Sequence, residues 1–323
     1  MHVLVATEAL IVVADPDRGT AESGSGLTDR PTCLAADVFH AARVWCGTDR
    51  GGVFRSDDAG ASWYHVGLAG SHIMAIAASA TEADVVRVGT EPSEMWSTRD
   101  AGSTWQRAPG LQELPSSSEW SFPPRPHTHH VRWIASHPRM PGRLWVAIEA
   151  GALVSTVDGG LTWRDRVPGG PYDTHELAIH TDAPDLLRVA AGDGYFESRD
   201  GGATWSSPRQ GLDVTYLRSV ATPLADVVVV SASSGPRTAY VAGVSDGRLY
   251  RRIGTGRWQR VRHGWPAQPS TIAPLLASGT ARHELWAADE RGVHRSADGG
   301  ASWQQVVACP STPHHLRGLA ILT

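Results

Sequence analysis

An eight-residue motif recurs along the chain and constrains its fold more than any other feature. Ser56-Asp-Asp-Ala-Gly-Ala-Ser-Trp63 returns as Thr98–Trp105, Thr156–Trp163, Ser198–Trp205 and Ser296–Trp303. A sixth copy ends at Trp258 as GTGRW and has lost its Asp. Successive tryptophans lie 42, 58, 42, 53 and 45 residues apart. A recurring period of this length marks a repeat architecture, in which one supersecondary unit is copied many times. The two long gaps point to insertions, near 111–128 and 221–237.

The pattern S/T-x-D-x-G-x-S/T-W has a physical meaning. The carboxylate accepts hydrogen bonds from turn amides and from the neighbouring hydroxyl, and glycine supplies the positive φ of a tight turn. The tryptophan opens the following strand and packs over the turn. Each copy is therefore the staple of a β-hairpin. The motif resembles the Asp-box (BNR) repeat of sialidases, sortilin-type receptors and the photosystem II assembly propeller. That resemblance implies a β-propeller with the boxes on the face away from the ligand, so Asp58, Asp100, Asp158, Asp200 and Asp298 are expected to be structural.

Each unit reads as four strands. In the copy ending at Trp163 these are 130–136, 144–147, 152–155 and, after the turn, 163–167. Six units span residues 32 to 307 and leave strands at both ends, 3–6, 10–14 and 316–322. Pairing these remnants gives an all-β, seven-bladed propeller of four-stranded antiparallel blades. The C-terminal strand is then the inner strand of the first blade, and no sheet edge is left open. The expected blades are 1–30 with 314–323, 31–69, 70–110, 128–168, 173–211, 214–262 and 269–308, forming one domain.

Composition narrows the function classes. The formal charge is −4 and no block of five or six like charges occurs, so neither nucleic acid nor a membrane surface is an expected partner. Three cysteines, Cys33, Cys46 and Cys309, form neither a disulfide framework nor a zinc knuckle, which suits a reducing cytoplasm. The apolar start of the chain lacks a basic flank and is interrupted by Glu8, so it reads as two strands rather than a signal peptide.

In a propeller the inner strands line a central channel. Aligned by their apolar pattern, they begin at Cys33, His72, His130, His175, Tyr216, Thr271 and His315. The loops between the second and third strands bring Glu8, Asp49, Glu91, Glu149, Asp193, Asp246 and Asp289 to the same rim. Imidazoles converging on an axis suit a transition metal (Fe, Cu, Mn or Zn), with His72, His130, His175 and His315 as ligands. In architecture alone this resembles the four-histidine iron centre of the seven-bladed carotenoid-cleavage oxygenases. Glu91, Glu149 and Tyr216 are the expected catalytic groups. Arg132, Arg218, Arg317 and His129 are expected to hold a small polar or anionic substrate.

Two other readings stay open. Three arginines with a tyrosine resemble the sialidase site, which implies glycoside hydrolysis, although the Arg-Ile-Pro signature of that family is missing. The assembly-factor resemblance implies instead a non-enzymatic propeller that binds a protein partner. Trp120, Phe122 and Trp265 are the candidate aromatic anchors for it.

Overall fold

A computed structural model describes residues 1–265, 271–309 and 313–322. The expected seventh-blade positions 269 and 270, and the terminal residue 323, lie outside the described residues. Seven antiparallel sheets form a propeller. Blade 1 is Leu316–Leu322, His2–Thr7, Ile11–Asp15 and Thr20–Ser23, in that order from the axis. Blades 2 to 7 start from inner strands Pro31–Ala36, His72–Ala78, Val131–Ser136, Thr174–His180, Tyr216–Leu224 and Leu275–Ser278. Neighbouring inner strands touch all the way round, and the last meets the first. Closure rests on the antiparallel register His2↔Leu322 through Ala6↔Gly318. In blades 4 and 5 the fourth strand shrinks to single bridges, Ser155↔Arg164 and Glu197↔Ser206.

The core is divided among the interfaces between blades. Seven apolar clusters occur among the described residues, and each joins two adjacent blades. Middle strands such as Leu144–Ile148 and Val227–Ser233 are buried along their whole length because both faces meet a neighbour. This is why they read as unbroken apolar runs rather than alternating ones.

The repeated turn carries the hydrogen bonds expected of it. Ser56 Oγ donates to Asp58 Oδ1 (2.7 Å) and accepts from the Gly60 amide (2.8 Å), while Asp58 accepts from the Ser62 amide (2.8 Å). The other four intact copies repeat this arrangement. Hydrogen bonds from the Thr104 and Thr204 hydroxyls hold the Asp100 and Asp200 carboxyls down at about 2.

The tryptophan does more than cover its own turn. Trp63, Trp105, Trp163, Trp205, Trp258 and Trp303 each pack into the interface with the preceding blade. Three indoles also donate to that blade's backbone: Trp105 to Val66 O (2.9 Å), Trp163 to Pro109 O (2.9 Å) and Trp258 to Pro208 O (2.8 Å). The degenerate copy has lost the Asp of its turn and kept its interface plug.

The two insertions differ in kind. Residues 111–119 form two short 3-10 helices, and Leu111, Leu114 and Trp120 enter the core between blades 3 and 4. The second lies elsewhere than the spacing suggested. Residues 221–233 continue two long paired strands, and the extra chain is the loop after Ser233, which carries the helix Pro236–Tyr240. Among the described residues no helix is long and apolar enough to cross a membrane.

Three outcomes follow from this division of labour. Deleting residues 314–323 removes the inner strand of blade 1, so the cooperative thermal transition seen by calorimetry should disappear. An unchanged midpoint would contradict closure. Trp258→Ala, which empties an interface, should cost about 3–5 kcal/mol. Ser198→Ala removes the hydroxyl that accepts from the Asp200 and Gly202 amides and should cost about 1–3 kcal/mol. Urea denaturation measures both.

Candidate functional site

The inner strands start on the face opposite the repeated turns, and consecutive blades interleave histidines with carboxylates there. His72 Nε2 lies 3.3 Å from Asp49 Oδ1, and its Nδ1 lies 3.8 Å from Glu91 Oε2. On the far side of Glu91, His130 Nδ1 stands 3.9 Å away, while His130 Nε2 is 2.8 Å from Glu149 Oε2. Glu149 Oε2 also lies 3.2 Å from Arg132 Nε. Burial would raise the Glu149 carboxyl, but the His130 hydrogen bond and the Arg132 charge outweigh it and bring it down to about 2.

The arc ends on blade 5. His175 is fully buried, and its Nδ1 sits 2.6 Å from Leu217 O. That carbonyl can only accept, so in the neutral ring Nδ1 carries the proton and Nε2 keeps its lone pair. Nε2 lies 3.4 Å from Tyr216 Oη and 3.7 Å from Asp173 Oδ2. Asp173 Oδ1 accepts from the Ala150 amide (3.0 Å), and burial with Glu149 close by raises its carboxyl. One ligand atom each from Glu149, Asp173 and His175 lie within 4.8 Å of one another. Among the described residues this is the one such group of three or more His, Cys, Asp or Glu side chains.

The four histidines expected to share an ion are therefore spread along the rim. His72 and His130 flank Glu91, and only His175 belongs to the compact trio. His315 sits on blade 1, where its amide and that of His314 donate to Glu8 (3.0 and 2.9 Å). Strand geometry explains the spread: seven inner strands place their first residues round a circle, and the loop carboxylates of each blade fill the gaps. Glu91 accepts from Arg125 (2.5 Å). His129 packs against Trp120 and accepts from the Ser93 amide (3.4 Å), so it supports the 111–130 insertion rather than a ligand. Phe122 packs edge-on against His130, and Trp265 lies in the core between blades 6 and 7.

The three arginines also part company. Arg218 is buried, and its terminal nitrogens donate to Ala273 O and Leu316 O (2.6 Å each), so it ties blade 6 to blades 7 and 1. It cannot close as one prong of a three-arginine fork. Arg132, Arg218 and Arg317 all line a channel cavity of 60 Å³, together with His175 and Glu176. Tyr240, from the short helix, covers Arg218 with its ring centre 4.7 Å from the guanidinium.

Asp173, Glu176 and Tyr240 escaped the sequence reading. Asp173 was legible in principle, since Asp173-Thr-His175 carries two ligand types at the start of an inner strand. A β-bulge between Thr174 and Glu176 lets Glu176 line the same cavity as His175, and its carboxyl accepts from the Ser219 hydroxyl. Burial raises its carboxyl to about 8.

No protein-family model and no curated protein matches the chain. Solved structures do. A GH74 enzyme from Niastella koreensis shares 14% identity at a TM-score of 0.74, covering 95% of this chain and 52% of its own. The GH74 xyloglucanase from Xanthomonas campestris shares 14% at 0.69, covering 99% and 52%. YCF48 bound to D1 peptide shares 17% at 0.60, covering 87% and 84%. The chain thus spans about half the length of these GH74 enzymes. At these identities the likeness shows the β-propeller fold alone.

The Glu176 carboxyl sets a pH dependence whose sign can be worked out. Its folded value lies above the unfolded one, so the native state keeps a proton that the unfolded chain releases. Its burial therefore costs nothing below about pH 4 and costs increasingly more up to about pH 8. Glu176→Gln should raise the melting temperature at pH 9 and leave it unchanged at pH 4. A uniform shift at both pH values would remove Glu176 as the source.

Proposed function

We propose that this propeller is an enzyme that holds a divalent transition metal (Fe, Cu, Mn or Zn) on its channel rim and acts on a small polar or anionic ligand. One observation carries the reading: Glu149, Asp173 and His175 bring three ligand atoms within 4.8 Å of one another. His175 Nδ1 is engaged by Leu217 O, which leaves the Nε2 lone pair facing two carboxylates. Three electron-rich atoms this close together favour a positive charge between them. A carbonyl partner on the distal nitrogen is the usual support of a metal-bound imidazole. The donor set, one nitrogen and two carboxylate oxygens, suits a borderline or hard divalent ion.

The protein's own groups define what the site can do. His130 and Arg132 hold Glu149 in place. Tyr216 Oη, next to His175, can donate to an oxygen of a bound molecule. When bound, the ion would supply Lewis-acid activation of a ligand oxygen or of water.

The five intact turns support placing the chain among Asp-box propellers, and the three unpaired cysteines support a cytoplasmic setting. A second reading is a peptide-binding propeller. It is favoured by the solved YCF48–D1 peptide structure, which the chain matches over 84% of that protein's length. Glycoside hydrolysis has a carboxylate pair in Glu149 and Asp173, whereas the locked Arg218 weighs against the sialidase-like form of it.

Elemental analysis of protein purified without added metal should find about one transition-metal equivalent. Asp173→Asn and His175→Ala should each abolish it, and His130→Ala should weaken affinity by about 10–100-fold. His315→Ala should leave it intact. Because ligands must be deprotonated, affinity should fall in acid. Protein that binds no metal at neutral pH, or His175→Ala protein that binds it normally, would transfer the case to the peptide-binding reading.

A further inference from the structure

The charges lining the central channel do not balance. Arg132, Arg218 and Arg317 border one cavity, contributed by the inner strands of blades 4, 6 and 1. Arg132 has a carboxylate partner in Glu149, which it shares with His130. Arg218 is 2% exposed; two of its nitrogens meet backbone carbonyls, its third face meets the Tyr240 ring, and its Nε has no partner. Among the described residues neither Arg218 nor Arg317 has an acidic oxygen within 4.0 Å of a guanidinium nitrogen. The acid on the cavity wall, Glu176, directs its carboxyl to Ser219 instead.

A buried cation surrounded by neutral dipoles is costly unless an anion joins it. Guanidinium groups suit an oxyanion, because their planar forks match its oxygens. Size permits one. The cavity measures 60 Å³, where one water needs about 10–15 Å³ on the same measure, so it has room for the head of a small acid. Position supplies the rest, since His175 and Arg132 each belong to this cavity and touch the rim trio.

We propose that the channel cavity is an oxyanion pocket, in which the carboxylate or phosphoryl head of a small acid sits between Arg132 and Arg317 in the field of the fixed Arg218, with the rest of the molecule reaching up to Glu149, Asp173 and His175. Arg317 is the exposed prong. Arg218 is held rigidly and supplies charge without reorganising. Only the direction the ligand faces rests on the metal reading; the pocket itself stands on the arginines.

The test uses the full chain, with sulfate and acetate as probes at constant ionic strength, measured by calorimetry or equilibrium dialysis after metal removal. The pocket should bind at least one of them, and Arg317→Ala should weaken that binding tenfold or more. Binding of acetate alone would assign a carboxylate head, binding of sulfate alone a phosphoryl-like head, and binding of both the shared oxyanion chemistry. Arg218→Lys, which keeps the charge, should retain affinity within a few-fold if the field of this residue is its contribution. Metal content measured on the same Arg317→Ala protein separates the two ideas: it should match the unaltered chain. Failure of the unaltered chain to bind either anion, or equal affinity in Arg317→Ala, would overturn the pocket whether or not a metal is found.

Discussion

The pairing of His2–Thr7 with Leu316–Leu322 is the constraint on which the rest depends. Each apolar cluster lies between two blades, so a blade has no private core to fall back on. With the ring open, blades 1 and 7 would each expose the apolar side chains that now meet between them. Closure turns seven marginal sheets into one cooperative object, and six box tryptophans fill the interfaces at which consecutive sheets meet.

This geometry explains why the rim is a chain of pairs. A residue at the start of an inner strand is nearer to the loop of its own or the adjacent blade than to its counterparts across the axis. Histidine and carboxylate therefore alternate from Asp49 to His175. Each carboxylate is shared between neighbours, which holds the side chains in single orientations. At the step from blade 4 to blade 5 two carboxylates come close to each other as well as to one imidazole. There Glu149 is held ionised and Asp173 is pushed the other way.

The repeat made the fold legible. The period counts the blades, the leftover strands at both ends supply the seventh, and the turn chemistry places the boxes on one face. The box tryptophan was legible only in part, because its target is the preceding blade and no local pattern names a neighbour. The site was legible as a set of positions rather than as an arrangement. His72, His130, His175 and Glu149 do reach the rim, yet alignment in a column says nothing about distance across a circle, and so the four-histidine centre did not follow. Arg218 shows a second limit. Its register matches Arg132 and Arg317, but whether a guanidinium faces a ligand or a backbone carbonyl depends on the loop opposite, here Ala273.

The two faces divide stability from function. On one, every box aspartate receives hydroxyl and amide donors, and the turns tie back to the loop between the first two strands, as in Ala59 to Ala42 and Gly299 to His283. On the other, the groups are arranged at a cost: a carboxyl held protonated in the channel wall, a guanidinium without an anion, and two acids pressed together. Each would be relieved by replacement with an apolar side chain of similar size. A closed ring with seven interface cores can carry these unfavourable placements, and Arg218 offsets part of its own cost by tying blade 6 to blades 7 and 1. Unfavourable placements gathered on one face are the local conflicts that a sequence otherwise consistent with its fold keeps to few places.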